Sequence, residues 1–322
     1  MKKLGLIVII IALFAFSSTA FAADAAKKWT VMVFINADNN LDRFGVLDMQ
    51  EMEKAGLSGD INVVTQIDRS GKPARRYSVT DRAADAKADD WGLVSKKIAD
   101  LGEVDMGDYK EVVNFVKWAK ENYPAEKYLL VIWNHGAGWK NKEAAPVFKG
   151  VSYDDQSGNH ITTPQLGEAL KGVHGVLGQP LDILAFDACL MQMVEVVYEI
   201  RENVKYMVAS EETEPGDGWP YELVLTPLVK TPAMTAEEFA KLIPQAYAES
   251  YSKKGTGTTQ SAVDCSKVEK LASVINEFAV ALGAAANVTD EAVLVKNSLS
   301  KVQKYSYADN IDLGHFVKLI LD

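Results

Sequence analysis

Five short runs of almost unbroken apolar character, interleaved with helical patterns, restrict this chain to an α/β architecture. They are WTVMVFINAD at 29–38, INVVTQIDR at 61–69, KYLLVIWNHGAGW at 127–139, LDILAFDA at 181–188 and VKYMVASEE at 204–212. A strand with one wet face alternates apolar and polar residues, so runs like these belong in a sheet covered on both sides. The intervening segments read as helices. Residues 39–56 space Phe44, Leu47, Met49 and Met52 roughly helically and stop at Gly56, and residues 107–124 gather Val112, Val113, Val116 and Trp118 before Pro124. At 163–178, Thr163 is the expected N-cap and Pro164 the first helical residue. Residues 74–81 and 145–162 have hairpin character, and helices at 235–254 and 267–286 flank a possible strand at 258–265. Strands alternating with crossover helices imply a three-layer α/β/α sandwich with a mostly parallel central sheet. No repeat or low-complexity linker divides the chain, so one domain with C-terminal helical additions is expected over residues 23–322.

The first residues set a compartment. Lys2 and Lys3 precede an uncharged apolar run from Leu4 to Phe16, and Ala20-Phe21-Ala22 supplies an A-x-A cleavage site. This reads as a signal peptide over residues 1–22, because the run falls short of the roughly 20 residues a spanning helix needs. A periplasmic or secreted protein, free of the membrane once the signal is removed, is the expectation. Its 32 basic and 44 acidic residues would leave a net charge of −12, which disfavours a nucleic-acid partner. The only cysteines, Cys189 and Cys265, could form one disulfide in such a compartment, but a chain of this size needs no staple. A monomer is expected.

Ligands of parallel sheets bind beyond the carboxyl ends of the strands. Two reactive side chains fall there: His135 after LLVIWN and Cys189 after LDILAFDA. Their separation of 54 positions allows a hairpin, a helix and a return strand, which would make their strands neighbours. An imidazole beside a thiol can take its proton and return it to a leaving amine. The dipole of a helix starting after Cys189 is expected to favour the thiolate, and backbone amides of Gly136 and Cys189 could stabilise an oxyanion. The alternative at this point is a buried structural cysteine and a loop histidine. His160, His174 and His315 read as structural or solvent-facing, and Cys265 as a packed small residue. The segment ASEETEPGDGWPY at 209–221 adds acid on the same edge. Asp217 stands between two glycines, and Asp187 precedes Cys189 by two residues, so both are candidates for a pocket that takes a Lys or Arg side chain. No cofactor or resident metal is called for. The oxygen-rich segment 36–45 lacks the glycine and final glutamate of an EF-hand loop, which leaves calcium there or at the 154–155 turn as an open option.

In WTVMVFINADNNLD, VDMGDYKEVVNFVKWAKENYPAEKYLLVIWNHGAGW, DILAFDACLMQMVEVVYEI and VASEETEPGDGWPY, the sequence resembles the clostripain family of cysteine peptidases. The resemblance runs over residues 29–221 and implies a caspase-like fold. It implies His135 as the catalytic imidazole, Cys189 as the nucleophile, Gly136 as an amide donor, and Asp187 and Asp217 as acids of the pocket for the residue before the cleaved bond. The expected substrates are proteins or peptides cleaved after Arg, and after Lys, through a thioester. Self-processing is a family trait, with Lys149 the candidate cut site and Lys140 and Lys142 competing. The chain looks shorter at its C-terminus than long family members, and calcium dependence does not transfer. A silent binder of basic peptides and a thiol acyl transferase are the rival readings.

Overall fold

The computed structural model describes residues 26–57, 59–139 and 150–322. The signal-peptide segment, Lys140, Lys142 and Lys149 therefore lie outside the described residues. In chain order the elements are β1 (Lys27–Ala37), α1 (Asp42–Met52), β2 (Ile61–Arg69), β3 (Lys72–Ser78), β4 (Lys96–Gly102), α2 (Tyr109–Asn122), β5 (Ala125–Trp133), β6 (Val151–Asp154), β7 (Asn159–Ile161), α3 (Thr163–Leu177), β8 (Leu181–Asp187), α4 (Val194–Ile200), β9 (Val204–Ala209), α5 (Tyr221–Lys230), α6 (Ala236–Ser252), β10 (Ser261–Asp264), α7 (Val268–Ala285), α8 (Thr289–Lys301) and α9 (Leu313–Leu321).

The main sheet runs β10-β9-β8-β5-β1-β2-β3-β4. Its central strands β9, β8, β5, β1 and β2 are parallel, and the edges are antiparallel. Side chains of a strand alternate between faces, and here both faces are covered. Val31, Val33 and Ile35 of β1 pack with Met49 and Met52 of α1, Val224 and Leu228 of α5, and Phe239 and Ile243 of α6. Met32 and Phe34 pack on the other side with Val112, Phe115 and Val116 of α2 and Leu166, Leu170 and Val173 of α3. This double cover explains why the sequence runs are nearly continuous, and it makes the three-layer sandwich. The antiparallel pair β6-β7 forms a separate hairpin near the His135 loop.

Two local expectations are corrected. Thr162, not Thr163, caps α3: its hydroxyl accepts from the Gln165 N–H while the Gln165 side chain returns a bond to the Thr162 N–H at 2.9 Å. The extended backbone of Thr162 lets it close this reciprocal box, worth about 1 kcal/mol. The strand expected at 258–265 is the shorter β10, which pairs antiparallel with β9. Among the described residues no helix is long and apolar enough to cross a membrane.

Candidate active site

Strand register brings the two sequence candidates together. Trp133 of β5 pairs in parallel with Asp187 of β8, so His135 and Cys189 each stand two residues beyond a paired position on adjacent strands. The Asn134 N–H donates to the Asp187 carbonyl at 3.2 Å, which continues the contact past the strand ends. Gly136 then lies so close to the Cys189 loop that a Cβ added there would stand 2.2 Å from the Cys189 carbonyl oxygen. Its lack of a side chain is a requirement of this approach. His135, Cys189 and Asp187 line one cavity of about 260 Å³, with Leu41, Trp133, Glu214, Gly216 and Gly218.

The His135 ring is held from two other loops. Its Nε2 lies 2.6 Å from Asn40 Oδ1. With the amide oxygen accepting, Nε2 carries the proton and the neutral ring keeps Nδ1 as its basic nitrogen. Asn134 anchors the same loop by donating to the carbonyls of Asn36 and Tyr153 and accepting from the Tyr153 N–H. Burial holds the imidazole below the usual histidine range, and the nearby Asp155 carboxylate works against that shift.

Cys189 sits on a strained turn. Leu190 adopts φ 62°, a left-handed conformation costing about 1–3 kcal/mol in a residue with a side chain. The Leu190 side chain is buried and its N–H donates to the Glu212 carbonyl, which holds the turn in place. The Glu214 N–H donates to Cys189 Sγ at 3.2 Å. Burial nevertheless pushes the thiol up; the Glu214 and Cys189 amides oppose this, while Asp187 and Glu212 add to it. The expected helix dipole does not act here, because α4 begins only at Val194, after an extended Met193. At neutral pH the resting pair is therefore thiol and neutral imidazole. Both cysteines are free, and Cys265 is buried apart from this cavity.

Acid lies beneath the thiol. Asp187 is buried, and its Oδ2 accepts from the Trp219 N–H at 3.2 Å. Burial pushes its carboxyl up to about 6. Burial, together with the Asp187 charge, raises Glu214 well above the usual glutamate range, and Glu214 Oε2 has no hydrogen-bond partner among the described residues. Farther back, Trp133 Nε1 donates to Asp48 Oδ2 at 2.6 Å, and burial also raises that carboxyl strongly. None of these three acids is ion-paired among the described residues.

Asp217 does not join them. The turn from Pro215 to Gly218 presents Gly216 and Gly218 to the cavity, and the residue between them is exposed, with Oδ2 2.9 Å from Lys254 Nζ. Glu214 takes the place that sequence reading gave to Asp217; it lay in the acidic segment, but no spacing rule singled it out. Asn40 and Asp155 were also missed, since they reach His135 from distant loops. The remaining histidines have other partners: His174 meets Asn203, His160 stacks on Tyr153, and His315 accepts from the Gln303 N–H.

A family model described as the clostripain family matches residues 33–322. The chain belongs to the clostripain family. It is 28% identical over 221 residues to clostripain of Hathewaya histolytica, an alignment covering 62% of this chain and 41% of that protein, so it spans less than half the length of that clostripain. A solved secreted cysteine protease of the clostripain family from Bacteroides thetaiotaomicron, bound to an irreversible peptide inhibitor, is 27% identical. The match has a TM-score of 0.66 and covers 91% of this chain and 78% of that one. An inactive zymogen from Parabacteroides distasonis shares the fold, with a TM-score of 0.66 at 19% identity over 91% of this chain and 77% of its own. The sandwich described above is thus the caspase-like fold of clostripain relatives.

Proposed function

We propose that this protein is an exported cysteine endopeptidase that cleaves after Arg, and after Lys, using Cys189 and His135. The observation that carries the reading is one cavity in which a thiol and an imidazole from neighbouring strand ends lie with the buried Asp187 carboxyl and the half-buried Glu214, neither of them ion-paired among the described residues. A buried carboxylate without a cation is costly, and a guanidinium or ammonium entering the cavity relieves that cost. Asp187 is the principal partner of the incoming cation, with Glu214 beside it. Family membership and the 27%-identical secreted protease support the chemistry and the export.

In the reaction, Cys189 Sγ attacks the carbonyl carbon while its proton passes to His135. In this reading the backbone N–H groups of Gly136 and Cys189 stabilise the resulting oxyanion. Collapse breaks the C–N bond, the imidazolium protonates the leaving amine, and a thioester remains. Water, deprotonated by His135, attacks the thioester, releasing the acid and restoring the thiol. Self-cleavage at Lys149, in the segment between the two reacting residues, belongs to the same reading.

The test is to incubate purified protein with matched fluorogenic peptides ending in Arg, Lys, Asp or Leu, alongside Cys189→Ala and His135→Ala. Cleavage confined to Arg and Lys, and lost in both folded variants, is expected. Turnover by a clean Cys189→Ala preparation overturns the nucleophile assignment; equal cleavage after Leu overturns the acidic pocket.

A further inference from the structure

A second cavity, of about 450 Å³, is walled by α4, β10, α7 and the segment that enters α9. Met193, Val197, Val263, Val268, Leu271 and Ile275 give it a largely apolar lining. Its charged groups are all acidic, since no Lys, Arg or His lines it among the described residues. Glu195, Glu211 and Asp312 do, and none of these three is ion-paired among the described residues.

Two details show that the polar side of this cavity is short of hydrogen-bond donors. Gln192 is 8% exposed; its Nε2 donates to the carbonyl and hydroxyl of Ser261, and its Oε1 has no partner among the described residues. The Tyr305 hydroxyl lies 2.6 Å from Glu211 Oε2 and 3.0 Å from Asp312 Oδ2. A hydroxyl carries one proton, so it serves one of these carboxylates and leaves the other facing an oxygen. Burial, reinforced by Glu211 and Asp312, holds that hydroxyl far above the usual tyrosine range, so its proton stays. A side chain that suits such a cavity has an aliphatic stem and a cationic head rich in donors, which describes Arg or Lys. Trp139 adds an exposed indole to the lining, and an aromatic face attracts the same groups.

The cavity adjoins the candidate active site. The Leu190 N–H donates to the Glu212 carbonyl and the Gln192 N–H to the Ser210 carbonyl, so residues 190–192 run alongside 210–212. Cys189 and Glu214 stand at one end of this pair of segments, and Gln192 and Glu211 stand three residues away at the other. Three extended residues span about 10 Å. The leaving amine has to meet His135 at the exit of β5, so the acyl half of a peptide extends the opposite way, over β8 toward β9 and β10. We propose that this cavity binds a second Arg or Lys side chain of the substrate, two or three residues upstream of the cleaved one, and so directs the enzyme to multibasic segments. The orientation of the peptide rests on the peptidase reading above; the cavity's appetite for a cation does not.

Binding is therefore read without turnover. Full-length Cys189→Ala protein is titrated by fluorescence anisotropy with labelled peptides that carry one Arg in an alanine background. Lys, Leu or Glu is placed two or three residues upstream of the Arg, and in a further peptide Lys is placed two residues downstream. Lys at one of the upstream positions should tighten binding at least about tenfold over Leu there. Adding Glu211→Gln and Asp312→Asn, which keep shape and the α9 cap, should cut that advantage below about threefold and leave the single-Arg peptide unchanged. Equal or tighter binding with Leu overturns the proposal in favour of a purely apolar subsite. An equal gain from downstream Lys reduces it to long-range attraction by an acidic chain, and a gain that survives the two substitutions places the cation elsewhere. Weaker binding of every peptide alike shows Glu211 and Asp312 to be structural and also overturns it. Failure of the unsubstituted protein to cleave the single-Arg peptide overturns the peptidase reading alone, because the binding comparison stands without it.

Discussion

Replacing Asp187 by Asn should stabilise the empty protein at neutral pH while damaging its pocket. Asp187 is 5% exposed, and burial raises its carboxyl from 3.8 to about 6. A carboxyl raised on folding is protonated more readily in the native state, so folding stability falls as pH climbs from the unfolded value through the folded one. At 1.36 kcal/mol per unit, the difference reaches about 3 kcal/mol above pH 6.5 and vanishes near pH 4. Asparagine keeps the acceptor for the Trp219 N–H and carries a donor that suits the unpartnered Glu214 Oε2, so little packing is lost. For a domain this large, 3 kcal/mol corresponds to a rise in Tm of about 6 °C. The assay is differential scanning calorimetry of Cys189→Ala against Cys189→Ala/Asp187→Asn from pH 4 to 8, in one buffer of constant ionic strength. A gap that opens between pH 4 and 6 and then stays level is expected. A variant less stable at every pH, or a gap that does not change with pH, refutes the idea that Asp187 is held as a strained acid.

Two further perturbations address the proposed pairing of Cys189 with His135. Gly136→Ala places a methyl 2.2 Å from the Cys189 carbonyl oxygen, so the two loops must separate; kcat/KM should fall on the order of 100-fold, the usual cost of an ångström of misplacement, in a protein that still melts cooperatively. A fall of less than about threefold would show that the close approach does not position the thiol. Asp155→Asn removes a charge that raises the His135 pKa, so the acidic limb of the kcat/KM profile should move to lower pH as the maximum declines. A limb that stays in place, or moves up, contradicts that electrostatic contact.

Much of this arrangement was legible because burial on both faces leaves a plain mark on a strand. The runs ending before His135 and Cys189 located the sheet, and their separation allowed adjacent strands; the Trp133-Asp187 pairing is the outcome. A helix was expected to begin directly after Cys189, but its extended exit postpones α4 to Val194, and desolvation of the thiol then dominates. Asp217 attracted attention because glycines flank it, yet a tight turn that presents both glycines inward sends the residue between them outward to Lys254. Periodicity specifies which face of a regular strand a residue occupies, but it has no counterpart in a turn. For the same reason Glu214, Asn40 and Asp155 could be assigned only once distant loops had been brought together. Cys189, whose Sγ accepts from Glu214, joins both kinds of information: its strand is readable locally, and its protonation is governed by residues that are not.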